Sequence, residues 1–528
     1  MRGCRIRAAL QDPIPVRGRE DAIATFSIRD NDGQRLAIIL ALAANASILL
    51  FFLSAFLVVD PDLFHEMALA RAALQRGGMP TRDLFAFTPT IFPSVHHEWG
   101  TGMVLYWIVT RFGAAGLLAL KYLLGFSVAF LTARAARRLG AAWEVLCLLS
   151  PLALMMADIG FTTVRAQFFT LLFAAALLVL LQRDREGRRL WVVPWLLLHT
   201  VWLNLHGGFV VGPLLLGCHW LEQVLRSRKA QWHLIACGMA MLALVPVNPY
   251  GLDYARYLGG ALTMSRPANP EWRPVWASPS LAVLFGLSLL VAAHAWRRGG
   301  SRQPPGWIAV VVFALAALLH VRHLSIYAVV WAAFVPAWAG ATPAGEAIRS
   351  FWKGNRQLVM ATSLVVMVLG VGASLAFQPW RLRVPVSRED LERGPMIAYP
   401  SGAVRYLRER KFEGNVMTPF VEGSYVSWEL YPAVKVGLDG RYEVAYRPGV
   451  AEEILAFYAG QPGWDRTLRR YPADLVLVRA TDPVGSLLAE RSGWGRVYQD
   501  DAFELFARPG IVLPHVDLRG KPIEPLFP

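Results

Sequence analysis

The sequence predicts an α-helical polytopic membrane protein that ends in a soluble α/β domain. Three observations carry this. Of its 528 residues 55% are hydrophobic and only 17% charged. Apolar runs recur along the first three quarters of the chain. From Arg381 onward, short β-like runs alternate with helical patterns. A soluble protein of this size has no core large enough to hide so much apolar surface.

The chain divides into a polar, basic N-terminal segment (1–35), a membrane domain (36–379) with a long first loop (60–113), and a C-terminal domain (380–528). The N-terminal segment is not a cleavable signal, since the apolar run after it is long enough to stay as an anchor. Eleven apolar runs follow: 36–59, 114–133, 141–157, 164–181, 190–205, 209–225, 231–248, 280–296, 305–321, 324–340 and 357–377. Each approaches the ~20 residues that cross a ~30 Å hydrocarbon layer, which predicts about eleven transmembrane helices. The run at 100–112 is short, follows Trp99 and ends at Arg111, and is read as a juxtamembrane or re-entrant helix.

The formal charge is +15, and because acidic and basic residues balance after Arg381, the excess lies among the apolar runs. It falls in clusters at Arg134–Arg138, Arg183–Arg189, Arg226–Lys229, Arg297–Arg302 and Arg349–Arg356. Basic clusters of this kind mark loops on the inner side of a membrane, so they signal topology and not nucleic-acid binding. With a cytoplasmic N-terminus they all fall inside. The first loop, the polar clusters at 158–165, 204–208, 248–279 and 320–323, and the C-terminal domain then fall outside. Lys121 is read as a mid-helix charge. Cys147, Cys218 and Cys237 lie in apolar runs, Cys4 is N-terminal and the C-terminal domain has none, which excludes a disulfide framework.

In the C-terminal domain, β-like runs at 414–418, 434–438, 474–478 and 495–506 alternate with helical patterns at 401–411, 421–431, 449–460 and 483–492. The segment Gly437–Arg441 (GLDGR) follows a strand and reads as a tight turn with an exposed ion pair, with a turn that makes its own ligand contacts as the alternative.

The ionisable chemistry concentrates in Asp60–Glu98. Pro61 stops continuation of the first apolar helix and presents Asp60 and Asp62 at the interface. The bland alternative to a functional pair is a helix-ending turn in which Asp62 caps the amphipathic helix from Leu63, with Met67, Ala70 and Leu74 on its apolar side and Gly77-Gly78 as its end. His65 lies one turn on, and Asp83 follows the helix. His96-His97-Glu98, with Asp60 or Asp62, is a donor set that suits a divalent ion, although adjacent histidines point apart, so one of them at most joins Glu98. Hydrogen bonding to sugar or phosphate is the favoured reading. Beyond this loop, Asp158, Arg165 and Gln167, Asn204 and His206, Asn248 and Tyr250, Glu271 in a loop with Asn269, Arg256, Arg266 and Arg273, and Arg322 and His323 form an outward polar chamber. Arginine at that depth suits a phosphate, with an Asp158–Arg165 ion pair as the bland alternative.

The stretches DPDLFHE (60–66), GGMPTRDLFAFTP (77–89) and HHEW (96–99) resemble the first outer loop of GT-C membrane glycosyltransferases. Together with VRAQFFTLL (164–172), NLHGGF (204–209), NPYG (248–251), RHLSIY (322–327) and the tail segment 418–446, they are most similar to the bacterial glycosyltransferase-39 and protein O-mannosyltransferase-like group. The resemblance implies a GT-C-like fold in a bacterial inner membrane and a polyprenyl-phosphate sugar donor. It implies a glycan, lipid or protein acceptor and a catalytic aspartate at the loop's start, for which Asp60 is the better match and Asp62 the alternative. No cofactor is implied, apart from the divalent ion some relatives use. The tail lacks a WWD-type acceptor motif, and residues 60–61 are not an Asp-Glu pair. A flippase for lipid-linked glycans and a non-catalytic envelope-assembly protein are the rival readings.

Overall fold

The computed structural model describes residues 20–263, 270–392, 397–491 and 493–527. Arg266, Asn269 and most of the N-terminal segment lie outside them. The chain is a multi-pass helical membrane protein with a small C-terminal sheet. Every one of the eleven apolar runs is helical. Eight helices among the described residues are long and apolar enough to cross a membrane. Three runs form shorter helices, Val192–Leu205, Trp232–Ala243 and Trp307–Leu319. Their 14, 12 and 13 residues reach only ~18–21 Å at 1.5 Å per residue. Two of the three end at a polar break, at His206 and at His320, where the chain turns extended.

The first helix, α1 (Glu20–Ala55), is followed by the loop helix α2 (Pro61–Arg76). Asp60, and not Asp62, caps α2: its carboxylate accepts the Asp62 backbone N–H at 2.9 Å, and Pro61 takes the first helical position. Gly77 ends the helix at φ 75°. Leu63, Met67 and Ala70 are buried as expected, but Leu74 is 59% exposed.

The 100–112 run opens helix α3 (Trp99–Arg138), which is broken at Gly113, where φ 57° and ψ −149° leave the helical region. Its first turn packs on the chamber side: Thr101 donates to Leu205 O at 2.6 Å, and a Cβ on Gly102 would meet Glu66 O at 2.6 Å. Lys121 donates to Phe56 O and Thr162 O at 2.7 and 2.6 Å. Those carbonyls lie in the connections that follow α1 and precede Gln167, so Lys121, inside α3 as expected, reaches towards the chamber end of the bundle. The basic clusters gather at the other end, where Arg138 faces Glu186 at 3.4 Å and Arg226 reaches Gln303 O at 2.7 Å.

The C-terminal sheet contains β1 (Gly414–Met417), β2 (Val434–Val436), β3 (Leu475–Arg479), β4 (Gly495–Gln499), β5 (Phe503–Ala507) and β6 (Val516–Asp517), in the order β2-β1-β3-β5-β4-β6. β1 is parallel to β2 and β3, whereas β3, β5 and β4 pair antiparallel. The single run expected at 495–506 is thus a hairpin turned at Asp500, whose carboxylate accepts the Ala502 and Phe503 N–H groups.

This sheet is built onto the membrane domain. The first loop pairs with the free edge of β2 through Ala86–Val436, and Thr88 donates to Gly437 O at 2.7 Å. Val58 bridges to Arg383, and Tyr399 donates to Val59 O at 2.7 Å. One hydrophobic core contains Leu63, Phe64, Leu105 and Val109 from the loop side and Tyr399, Tyr425 and Leu505 from the domain side.

Candidate functional site

A cavity of about 550 Å³ lies where the first loop, the chamber end of the bundle and the C-terminal domain meet. Helix α2 lays one face along it: Asp62, His65, Glu66 and Leu69 fall at i, i+3, i+4 and i+7. Asp60, His96, His97, Glu98, Trp99, Arg165, Gln167, His206, Glu271 and Arg322 complete the charged floor. The C-terminal domain supplies the opposite wall from Phe420, Val421, Gly440, Arg441, Val444 and Leu455.

The two aspartates differ. Both carboxylate oxygens of Asp60 are engaged, one by the α2 cap and the other by the Thr163 hydroxyl at 2.5 Å. Asp62 has 40% of its side chain exposed, and that surface faces the cavity; its nearest ionisable partner is His65, at 4.0 Å. Enclosure, and after it the charge of Asp60, raises the Asp62 carboxyl well above the usual range. Enclosure also lowers His65 to about 4, which keeps it neutral.

Glu98 is the opposite case. Burial works against its charge, but the His97 and His206 Nε2 atoms both lie 3.2 Å from its Oε1 and hold it well below the usual range. The His206 tautomer follows from its partners. Trp202 donates its indole N–H to Thr170 Oγ1, so the Thr170 hydroxyl donates to His206 Nδ1 at 2.6 Å and the imidazole N–H lies on Nε2, towards Glu98. His97 is steadied by Tyr257, whose hydroxyl is 3.1 Å from Nδ1.

Arg165 pairs with Glu271, not with Asp158. Burial disfavours its charge, yet Glu271, Asp60 and Asp62 together raise it. Arg322 lies over the Trp272 ring at 4.6 Å, and Gln167 approaches Arg322 O and Ser325 Oγ at 3.4 and 3.3 Å.

Several expected chamber residues stand elsewhere. Asp158 interacts with Lys121, away from the cavity lining. Asn204 accepts the Trp99 indole N–H at 3.1 Å and donates to Thr200 O and Val247 O, so it ties helix ends together. Asn248 closes its own turn by accepting the Tyr250 N–H at 2.7 Å. Tyr250 packs on the His96 ring, and His323 packs on Trp272 and His320. Arg256 is exposed beside Asp253, and the Arg273 carbonyl accepts the Val321 N–H. Asp83 lies behind the wall. Its carboxylate accepts the Phe85 and Ala86 N–H groups and pairs with Arg441.

That pairing corrects the reading of Gly437–Arg441. Arg441 and Asp439 are buried, the guanidinium bridges Asp439 at 2.6 Å and Asp83, and Arg441 reaches the cavity. Gly440 sits so close that a Cβ would lie 3.3 Å from Asp62 Oδ1 and 3.4 Å from His65 Nδ1. His96 also lines the cavity, so both histidines of the pair belong to it. Glu66 is the residue that sequence reasoning passed over, although its spacing from Asp62 and His65 marks the same helix face.

Among the described residues no group of three or more His, Cys, Asp and Glu side chains is arranged to hold a metal ion. His97 and His206 spend their Nε2 atoms on one oxygen of Glu98 instead of converging with it on a common point, so the donor set does not fit a divalent ion. No protein-family model and no curated protein matches the chain.

Proposed function

We propose that the protein transfers a sugar from a polyprenyl-phosphate donor to an acceptor hydroxyl with inversion, as a GT-C-like enzyme of about eleven membrane passages. The observation that carries this reading is Asp62. It is a cavity-facing carboxylate at the membrane-proximal floor, free of any cap and within electrostatic reach of Arg165. A lipid whose tail lies in the bilayer presents its phosphate at that depth, where Arg165 and Arg322 would offset the charge of the departing phosphate. In its ionised form Asp62 takes the proton of the acceptor hydroxyl. The acceptor oxygen bonds to the anomeric carbon, the bond from that carbon to the phosphate oxygen breaks, and the polyprenyl phosphate leaves with the electron pair. Asp60 anchors the turn that aims Asp62. The basic clusters favour a cytoplasmic N-terminus, with the cavity and the C-terminal domain on the outer face of a bacterial inner membrane. The acceptor is a glycan, lipid or protein of the envelope.

The flippase reading is the weaker one. Between Gln167 and Gln182, helix α5 (Gln167–Arg185, with α4 at Trp143–Ala157) buries Phe168, Leu171, Ala174, Leu178 and Leu181. A pathway through the bundle would need polar lining there.

The test is release of polyprenyl phosphate from a polyprenyl-phosphate hexose by membranes containing the protein. Asp62→Asn is expected to lower turnover by about 10²–10⁴-fold, with Asp60→Asn, which still caps the helix, affected less. Full turnover in Asp62→Asn would remove the base assigned here.

A further inference from the structure

Helix α3 presses its glycine face onto α2 at Glu66: a Cβ on Gly102 would fall 2.6 Å from Glu66 O and 3.3 Å from its Cβ. The Glu66 side chain is thereby fixed on the cavity wall with 3% of the residue exposed, and its carboxyl has no partner there besides the neighbouring Glu98 carboxylate. His96 repeats the pattern on the same wall, buried and with its Nε2 unpartnered. Buried polar groups are ordinarily satisfied, so unpartnered ones aimed into a cavity point to the ligand that meets them.

The chemistry of that ligand follows from what these groups offer. Burial raises Glu66 well above the usual range, and the neighbouring Glu98 carboxylate raises it further by its charge and by a side-chain hydrogen bond; burial lowers His96 to about 3. A neutral carboxyl and a neutral imidazole each donate and accept. Arg165 on the floor and Arg441 on the opposite wall already hold carboxylates. A phosphate oxygen only accepts and an ammonium only donates, whereas a hydroxyl does both. We infer that Glu66 and His96 form a subsite that hydrogen-bonds hydroxyl groups of the transferred sugar, and so read the glycosyl part of the donor and not its phosphate. This rests on the lipid-phosphate reading above.

The probes are a C35 polyprenyl phosphate and a panel of its hexosyl and pentosyl esters, with binding measured on the full chain in nanodiscs. The wild-type protein should bind at least one ester about tenfold more tightly than the bare lipid phosphate. Glu66→Gln keeps a neutral donor and acceptor and should preserve that preference within about threefold. Glu66→Leu fills the same space without polar atoms, so it relieves an unpartnered buried group and should fold. It should lose the preference while binding the bare lipid phosphate as before. An unchanged preference in Glu66→Leu would overturn the subsite. Binding of the bare lipid without preference for any ester would do the same while sparing the lipid-phosphate reading. Failure of all the lipids to bind would sink that reading and the subsite with it.

Discussion

Helix α5 carries a buried ionic cluster near each end, and the two clusters use the same residue types for different ends. At the end away from the cavity, Asp184 accepts from His219 and His233 at 2.9 Å each, from Arg189 at 2.5 Å and from Trp191 at 3.1 Å. Glu222 accepts a two-pronged contact from Arg185 at 2.7 and 3.1 Å and the Gly306 N–H at 2.7 Å. The carboxylates there are saturated, whereas Gln182 Oε1 and the Nε atoms of Arg183 and Arg185 lack partners. At the cavity end, Glu66 has only the Glu98 carboxylate beside it, His96 Nε2 is unpartnered and Asp62 faces open space. A saturated cluster holds helices together. An unsatisfied one beside a cavity keeps its hydrogen-bonding capacity for a ligand. Charge alone does not separate a staple from a site.

The largest effect that would break this contrast is expected at Glu222. Glu222→Gln leaves the Arg185 guanidinium buried opposite a neutral amide, and loss of one partner of a buried pair costs about 3–5 kcal/mol. A markedly lower thermal unfolding temperature is expected, with the affinity for lipid phosphate unchanged in the protein that stays folded. A variant as stable as wild type would show that the saturated cluster is not a staple.

Much of this was legible before the fold was known, and what was missed has physical causes. The apolar runs, the basic end of the bundle and the helices and most strands of the C-terminal domain follow from local pattern. The first loop was recognisable as the ionisable centre. Pairing across the chain was not: Arg165 meets Glu271, and Arg441 meets Asp83, over separations that no periodicity encodes. Gly437–Arg441 read as exposed because its partner lies in the first loop, more than 350 positions away. Asp158, Asn248 and His323 read as chamber residues because proximity to a helix end was the only available criterion, and packing then turned them elsewhere. Glu66 was missed for a different reason. Its spacing from Asp62 was in plain view, but only burial distinguishes an unsatisfied carboxyl from a solvated one.

That burial predicts the second effect, a pH dependence with a definite sign. The ordinary glutamate value is 4.5, and Glu66 is raised well above it in the folded protein, by burial first and by Glu98 second. Above pH 4.5 the unfolded chain releases this proton and the folded protein keeps it. The contribution of Glu66 to stability is therefore full below 4.5 and declines as pH rises, until the folded group also ionises. The decline reaches at most about 1.4 kcal/mol per pH unit. Glu66→Gln does not titrate, so its unfolding temperature should gain on wild type between pH 5 and pH 8. Glu98, held low by His97 and His206, has the opposite sign: its contribution is present above pH 4.5 and is lost on acidification. Parallel pH curves for wild type and Glu66→Gln would mean that Glu66 is solvated like an ordinary surface carboxylate, and the contrast between the two clusters would shrink.

The smallest effect tests the boundary between staple and site within the first loop itself. Asp60 lines the cavity, but both of its oxygens are engaged, as those of Asp184 are; Asp62, two residues on, is free of such contacts. Removing a cap costs about 0.5–2 kcal/mol, and Asn caps a helix about as well as Asp. Asp60→Ala should therefore lower stability by about that amount, Asp60→Asn by less, and Asp62→Ala by almost nothing, as read from thermal unfolding in one detergent. Stability losses of equal size at the two aspartates would place both in the scaffold, leaving the cavity floor without a free carboxylate to act as base. A loss confined to Asp60 would assign holding to the first aspartate and leave the second for chemistry.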